Sequence, residues 1–284
     1  MLLRHILAAT DESEAGRQAV RAATALATRA SARVTVLRVR AVEGTRRLAS
    51  VGGNGDSAED EVAQRHLRRW LEANVLSPAD ARKVQLATSL GIPGIEICRF
   101  AEQAEADMMV LGRKRHSAMM RLLLGDTADA VARRSRIPCM FVPDGSDRAR
   151  KVLVALDGGD RGMKVLKEAC DFARYVGATI HAVTVERRPV GEPLRLVSTP
   201  PLARSSSLQQ RVGELLVREG FPGGCLSIRR GDILDQVTAE VQENEAQVLA
   251  IGYHRGGPPG VLEAGSTGRR LAHAAPCTVL TIPL

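Results

Sequence analysis

Aromatic side chains are scarce in this sequence, with one Trp, two Tyr and four Phe among 284 residues. Proteins that hold single-stranded nucleic acid stack its bases on ring faces, so so few rings exclude that mode. The formal net charge of +8 invites phosphate-driven duplex binding, but no recognised nucleic-acid signature accompanies it, and this reading ranks last. Long apolar runs are missing too. None reaches the roughly 18 residues that span a bilayer, and the opening MLLRHILAATDES turns acidic before a signal peptide's hydrophobic region could form. The expectation is a soluble, unprocessed, cytoplasmic protein without a membrane partner. The five cysteines (Cys98, Cys139, Cys170, Cys225, Cys277) are odd in number, form no CxxC pair and sit mostly among apolar neighbours, so they read as reduced core residues. There is no GxxxxGK[ST] loop, no strand-linked GxGxxG and no GxSxG elbow, which removes the commonest α/β enzyme classes. No Cys–His or His-x3-His cluster is legible. His181 and His273 fall in an expected strand and helix, and only His254, in a glycine loop, stands out.

What is present is a repeat. A 44% hydrophobic chain of this length suits two cores of ordinary size. Residues 4–39 align without gaps on 150–185, setting Asp11 on Asp157 and Gly16 on Gly162. The second half of each copy aligns as well, with Gly91 on Gly231, Gly112 on Gly252, Gly125 on Gly265 and Pro143 on Pro283. The copies differ in length between these blocks, at SVGGNGDSAEDE in the first, expected as a solvated loop, and at roughly 187–205 in the second, rich in Pro, Arg and Ser. The polar stretch PDGSDRAR separates the copies, which sets expected domains at 1–146 and 150–284.

Each copy alternates short apolar runs with helical periodicity. HILAAT is followed by an amphipathic helix to about Arg29 and then RVTVLRV, a βαβ unit. A helix near 58–74, the strand VQLATS, a helix opened by Pro93, the strand ADMMVLG, a helix after Gly125 and the strand PCMFVP complete five strands and four helices. Right-handed crossovers make this an α/β fold: two tandem, open, five-stranded parallel sheets with helices on both faces. Ligands of such sheets bind beyond the carboxyl ends of the strands. The two copies are expected to pack through their terminal strands PCMFVP and PCTVLTIP, with further dimerisation left open.

The distinctive residues fall at those strand ends. Asp11 and Asp157 follow the first strand of each copy, and glycine segments begin at Gly112 and Gly252 after the fourth. In the second copy, IGYHRGGPPGVLEAGSTGRRLAH leads from a strand through a glycine-rich loop into a helix opening with Gly265, Ser266 and Thr267. Glycines permit close approach of backbone to phosphate, and a helix amino terminus supplies N–H groups and partial positive charge. Each element also has a plain alternative: an aspartate after a strand or a Ser at a helix start is commonly a cap, and the basic run Arg113, Lys114, Arg115 and His116, like Arg133, Arg134 and Arg136, reads more readily as solvated surface.

The order and spacing resemble the universal stress protein family over essentially the whole chain, twice. Its ATP-binding members carry G-x2-G-x9-G-[S/T] after the fourth strand. Gly252, Gly265 and Ser266 match the first glycine, last glycine and hydroxyl, while Arg255 replaces the middle glycine and Gly256 follows it. In the first copy Gly112 and Gly125 keep the spacing, but Arg115 and Asp126 replace the middle glycine and the hydroxyl, with Thr127 next. A carboxylate at Asp126 would cap the helix yet repel phosphate, unless Arg113, Lys114, Arg115 and His116 offset it or a metal bridges the two.

The resemblance implies an adenine nucleotide alpha hydrolase-like fold, with Asp11 and Asp157 toward adenosine, Val39 and Val185 bordering the base, and Ala9 and Ala155 at the neighbouring small-residue position. Tyr253 and His254 fall in the same segment. The expected ligand is ATP, with or without Mg²⁺, or a related adenine nucleotide, held in the second copy, with a degenerate first site. The expected role is in stress response or regulation, with binding altering association or the choice of an unidentified protein partner. No general base or Walker-type lysine is visible, so the chain is not read as an enzyme. The alternative is an interaction protein that binds no nucleotide.

Overall fold

The structure, a computed structural model, describes residues 1–41, 57–113, 125–143, 145, 149–186, 202–253 and 266–284. The first repeat runs β1 (His5–Thr10), α1 (Glu14–Ala30), β2 (Arg33–Arg40), α2 (Ser57–Asn74), α3 (Pro78–Ala81), β3 (Gln85–Leu90), α4 (Pro93–Gln103), β4 (Met108–Arg113), α5 (Asp126–Arg134) and β5 (Cys139–Pro143). The second runs β6 (Lys151–Leu156), α6 (Asp160–Val176), β7 (Thr179–Glu186), α7 (Leu202–Arg218), β8 (Leu226–Arg230), α8 (Ile233–Glu243), β9 (Val248–Tyr253), α9 (Ser266–Ala274) and β10 (Thr278–Pro283). The expected order is present, with the short α3 in addition. Its Ser77 cap accepts from the Asp80 N–H and Pro78 opens the helix, a start signal that length alone had obscured.

Local chemistry explains the main elements. Helix α1 buries Ala15, Ala19, Val20, Ala23, Leu26 and Ala27 at helical spacing and ends on Ser31 in the left-handed region. One loop expectation needs correction. The SAEDE portion of SVGGNGDSAEDE forms the first turn of α2, where Glu59 and Asp60 suit the positive end of the helix dipole. Residues 42–56 lie outside the described residues, as do 187–201 in the second repeat.

Within each repeat the strands are parallel, but the two sets are joined rather than separate. Among the described residues the sheet has ten strands in the order β3-β2-β1-β4-β5-β10-β9-β6-β7-β8, the same order when read inward from either edge. The join is the antiparallel pair β5–β10, with Phe141 opposite Val279, Met140 opposite Leu280 and Cys139 opposite Thr281. Alternation along the strands sends Ile6 and Ala8 to one face and Leu7 and Ala9 to the other. Each face bears one apolar layer, and both layers include residues of both repeats. Because β5 and β10 would otherwise be edges, their pairing removes two unpaired rows of backbone groups.

Candidate functional site

The carboxyl ends of β1 and β6 carry Asp11 and Asp157, and the structure shows what surrounds each. Asp11 braces the turn into α1: its Oδ1 accepts the Ser13 N–H at 3.1 Å and the Ser13 hydroxyl. Ser13 caps α1 by accepting the Gly16 N–H at 3.2 Å. Asp157 makes the corresponding bond, its Oδ1 accepting from the Gly159 N–H at 3.0 Å. A Cβ at Gly162 would lie 2.7 Å from that oxygen, so glycine there lets the aspartate fold over the start of α6. The capping alternative is thus realised in modified form: the aspartates brace the turns while Ser13 and Gly159 are the caps.

The repeats part company at the next position. Glu12 aligns with Gly158, and both adopt left-handed backbone, φ 63° and 79°. Glycine holds that conformation without steric cost, whereas glutamate does so against its preference. The Glu12 side chain, 15% exposed, forms an ion pair with Arg38 at 3.1 Å, and His66 Nδ1 lies 3.3 Å from it. It therefore fills the space between the end of β1, β2 and α2 with an anion. Beside it, Arg40 pairs with Asp60 at 3.5 Å, and a cleft of about 570 Å³ is lined by Arg38, Arg40, Glu59 and His66. In the second repeat the corresponding stretch is Asp157-Gly158-Gly159, and the nearest atom to a Cβ at Gly158 would be Leu208 Cδ2 at 3.4 Å.

The helix starts differ in the same sense. Helix α5 has Asp126 and Asp129 in its first turn, whereas α9 has no acidic residue there. Asp126 is exposed and is not the cap it was expected to be. Gly125 takes the cap position without a side-chain bond, and Asp126 is the first helical residue. Thr127 and Thr267 are the second residues of their helices and are half-buried. Ser266 opens α9. A Cβ at Gly268 would lie 2.7 Å from the Gly252 carbonyl oxygen, so the first turn of α9 sits directly against the end of β9. Gly265 and the loop residues His254, Arg255 and Gly256 lie outside the described residues, as do Lys114, Arg115 and His116.

The motif glycines serve packing. A Cβ on Gly112 would lie 2.2 Å from the carbonyl carbon and oxygen of Ala15, so β4 and α1 touch backbone to backbone. A Cβ on Gly252 would meet Leu284 Cδ1 at 2.6 Å and Val165 Cγ2 at 3.0 Å. Val39, Val185 and Ala155 are half-buried and pack against the opposite apolar layer, that of Leu7 and Ile251, near the strand ends.

Two expected site residues turn inward instead. Arg113, 1% exposed, donates to the carbonyl oxygens of Ala272 at 2.6 Å, Ala275 at 2.5 Å and Cys277 at 3.0 Å. These carbonyls close the last turn of α9 and the approach to β10, where a cation complements the helix dipole. Arg113 is therefore a strut between the repeats, neither the solvated residue nor the anion ligand the sequence suggested. Its aligned partner, Tyr253, is buried in the apolar layer, and burial, with a smaller effect from Asp129, pushes its hydroxyl up to about 12. Asp129 was missed. Its buried carboxylate receives Arg269 at 3.0 and 3.2 Å and His273 at 3.3 Å from the second repeat, and Arg133 at 3.0 Å from its own helix. Asp129 and Arg269 occupy the same position of the repeat, as do Arg133 and His273, so the opposite charges at aligned positions were the available signal.

Among the described residues, no group of three or more His, Cys, Asp or Glu side chains is arranged to hold a metal ion. Among them, too, no helix is long and apolar enough to cross a membrane.

The sheet order and the strand-end residues define a tandem α/β protein of the adenine nucleotide alpha hydrolase-like fold. The universal stress protein family model matches residues 3–143 and 148–283, and the chain belongs to that family. Among solved structures, a universal stress protein from Archaeoglobus fulgidus DSM 4304 is similar at 19% identity and TM-score 0.71, covering 98% of each chain. A putative universal stress protein from Pseudomonas aeruginosa UCBPP-PA14 is similar at 14% identity and TM-score 0.64, covering 99% of this chain and 93% of that one. At these identities the likeness concerns the fold.

Proposed function

We propose that this chain is a regulatory adenine-nucleotide-binding protein whose working site is in the second repeat, with ATP the leading ligand. The observation that carries the reading is the contrast at one aligned step. Where the first repeat places the Glu12 carboxylate, paired with Arg38 and close to His66, the second places Gly158 and Gly159 beside Asp157. The Glu12 side chain occupies the space beyond β1 where its glycine counterpart carries none, and the lack of an acid in the first turn of α9 favours phosphate at that helix start. The residues present fit the group. Asp157 would meet the adenosine moiety, Ala155 and Val185 would border the base, and Gly252, Ser266 and Thr267 would face the phosphates. A bound nucleotide supplies a polyanion and a purine face, and the chain's part is to bind and orient them. The proposed role is binding rather than hydrolysis.

A second reading, an interaction protein that binds no nucleotide, draws on the first repeat, where Glu12 fills the space beyond β1 and Asp126 at the start of α5 disfavours phosphate. The domains are read as 1–146 and 150–284, paired through β5 and β10 as two subunits would be. The test is calorimetric titration of ATP with Mg²⁺ into wild type and Ser266→Asp at moderate salt. Micromolar binding abolished by the new carboxylate supports the nucleotide reading, and heatless titration of the wild type favours the second.

A further inference from the structure

The edge of the sheet opposite the first repeat holds a group of side chains that the nucleotide reading does not use. Cys225, immediately before β8, is exposed, contrary to the expectation that the cysteines are core residues. Its Sγ lies 3.0 Å from Nδ1 of His181 on β7. The other ring nitrogen of His181, Nε2, lies 3.0 Å from Oε1 of Glu240 and 2.8 Å from the Ser227 hydroxyl. Glu240, on α8, is 2% exposed and is held by Arg229 and by the Asn244 amide at 3.0 Å. Sequence separation of 44 residues between Cys225 and His181 hid this grouping.

The hydrogen bonds assign the proton positions. Burial alone would raise the Glu240 carboxyl, but hydrogen bonds from Ser227 and Arg229 and the charge of Arg229 outweigh it and hold it below the usual range. An ionised carboxylate only accepts, so the imidazole proton stands on Nε2 and the bare Nδ1 faces the thiol. This is the nucleophile–base–orienting-carboxylate order by which a weak nucleophile is activated. The other four cysteines lack it. Burial pushes Cys98 and Cys277 up to about 11 and Cys139 and Cys170 up to about 12, which keeps them as thiols. In the first repeat the aligned positions are Thr35, Gln85 and Phe100, so the grouping belongs to the second repeat alone. It lies toward the amino-terminal ends of β7 and β8, away from Asp157 at the carboxyl end of β6, and does not depend on nucleotide binding.

We propose that Cys225 is a covalent modification site that exchanges with low-molecular-weight disulfides, with His181 as the base that takes the thiol proton and Glu240 as the residue that positions the imidazole. The Cys225 S–H gives its proton to Nδ1 as its sulfur bonds to one sulfur of R–S–S–R. The other sulfur leaves with the bonding pair as RS⁻ and recovers the proton from the imidazolium. One disulfide is consumed, one mixed disulfide and one thiol form, and there is no net oxidation.

The experiment uses the full chain with 5,5′-dithiobis(2-nitrobenzoate), following the released thiolate by absorbance and locating the adduct by peptide mass spectrometry. The expected result is one fast equivalent per chain on Cys225, slowed about fivefold or more in His181→Ala and restored by added imidazole, as a base role requires. ¹⁵N NMR should show His181 with its proton on Nε2 in wild type and mixed tautomers in Glu240→Gln. Should His181→Ala not fold, the wild-type rate is compared with that of N-acetylcysteine amide at the same pH, and a several-fold advantage is expected. An unchanged rate in His181→Ala, no effect of imidazole, a fast adduct on Cys98 or Cys277, or parity with the free thiol would each overturn the proposal.

Discussion

Replacing Arg113 with Met distinguishes a strut from a ligand contact. The guanidinium is 1% exposed and donates three hydrogen bonds to carbonyls of the second repeat. Bonds from a charged donor contribute roughly 1.5–3 kcal/mol each, and burial of the cation opposes them by several kcal/mol. Met keeps most of the apolar stem but leaves the Ala272, Ala275 and Cys277 carbonyls without that donor, so the net loss should be about 3 kcal/mol. With a urea slope of about 3 kcal/mol/M for a chain this size, the midpoint should fall by about 1 M. Circular dichroism across a urea series measures it, and nucleotide affinity is measured on the same protein. A midpoint shift under about 0.3 M together with weakened ATP binding would refute the reasoning and return Arg113 to the anion site.

Further outcomes follow from the same geometry. Asp129→Asn strips a buried carboxylate from Arg269, Arg133 and His273 and should cost about 2 kcal/mol, and a double-mutant cycle with Arg269→Gln should show coupling of about 1 kcal/mol. Gly112→Ala drives a Cβ into the Ala15 backbone and should cost about 3 kcal/mol or prevent folding, whereas Gly125→Ala meets nothing within 4 Å and should cost under about 1 kcal/mol by chemical denaturation. Burial lowers the His5 imidazole below its usual value, so the folded state binds that proton less readily than the unfolded chain. Stability should therefore decline as pH falls below about 6.5, and His5→Gln should flatten that part of the profile in pH-dependent thermal melts. The Glu240 carboxyl is likewise lowered, so its contribution is present above about 4.5 and is lost as pH falls through its folded value.

The fold was largely legible because its determinants are local and repeated. Buried strands such as HILAAT read as apolar runs, α1 reads as a helix from its apolar spacing, and duplication supplied a second reading of each element. The joining of the sheets through β5 and β10 was anticipated from their terminal position, but the single ten-stranded sheet was not written into either copy alone. The strand-end placement of Asp11, Asp157, Gly112 and Gly252 was legible because motif spacing lies along the chain. What escaped depends on neighbours distant in sequence: Arg113 reaching α9, Asp129 meeting Arg269, and Cys225 meeting His181. Glu12 is the exception. Its opposition to Gly158 stands in the gap-free alignment, and only its ion pair with Arg38 and its contact with His66 show why the difference matters.

The central claim, that the second repeat and not the first holds the nucleotide, is tested most directly by the stoichiometry of ATP·Mg²⁺ binding in wild type, Asp157→Ala and Asp11→Ala. The account predicts one site per chain, weakened at least tenfold by Asp157→Ala and left intact by Asp11→Ala. Two sites per chain, or loss of binding in Asp11→Ala alone, would contradict it.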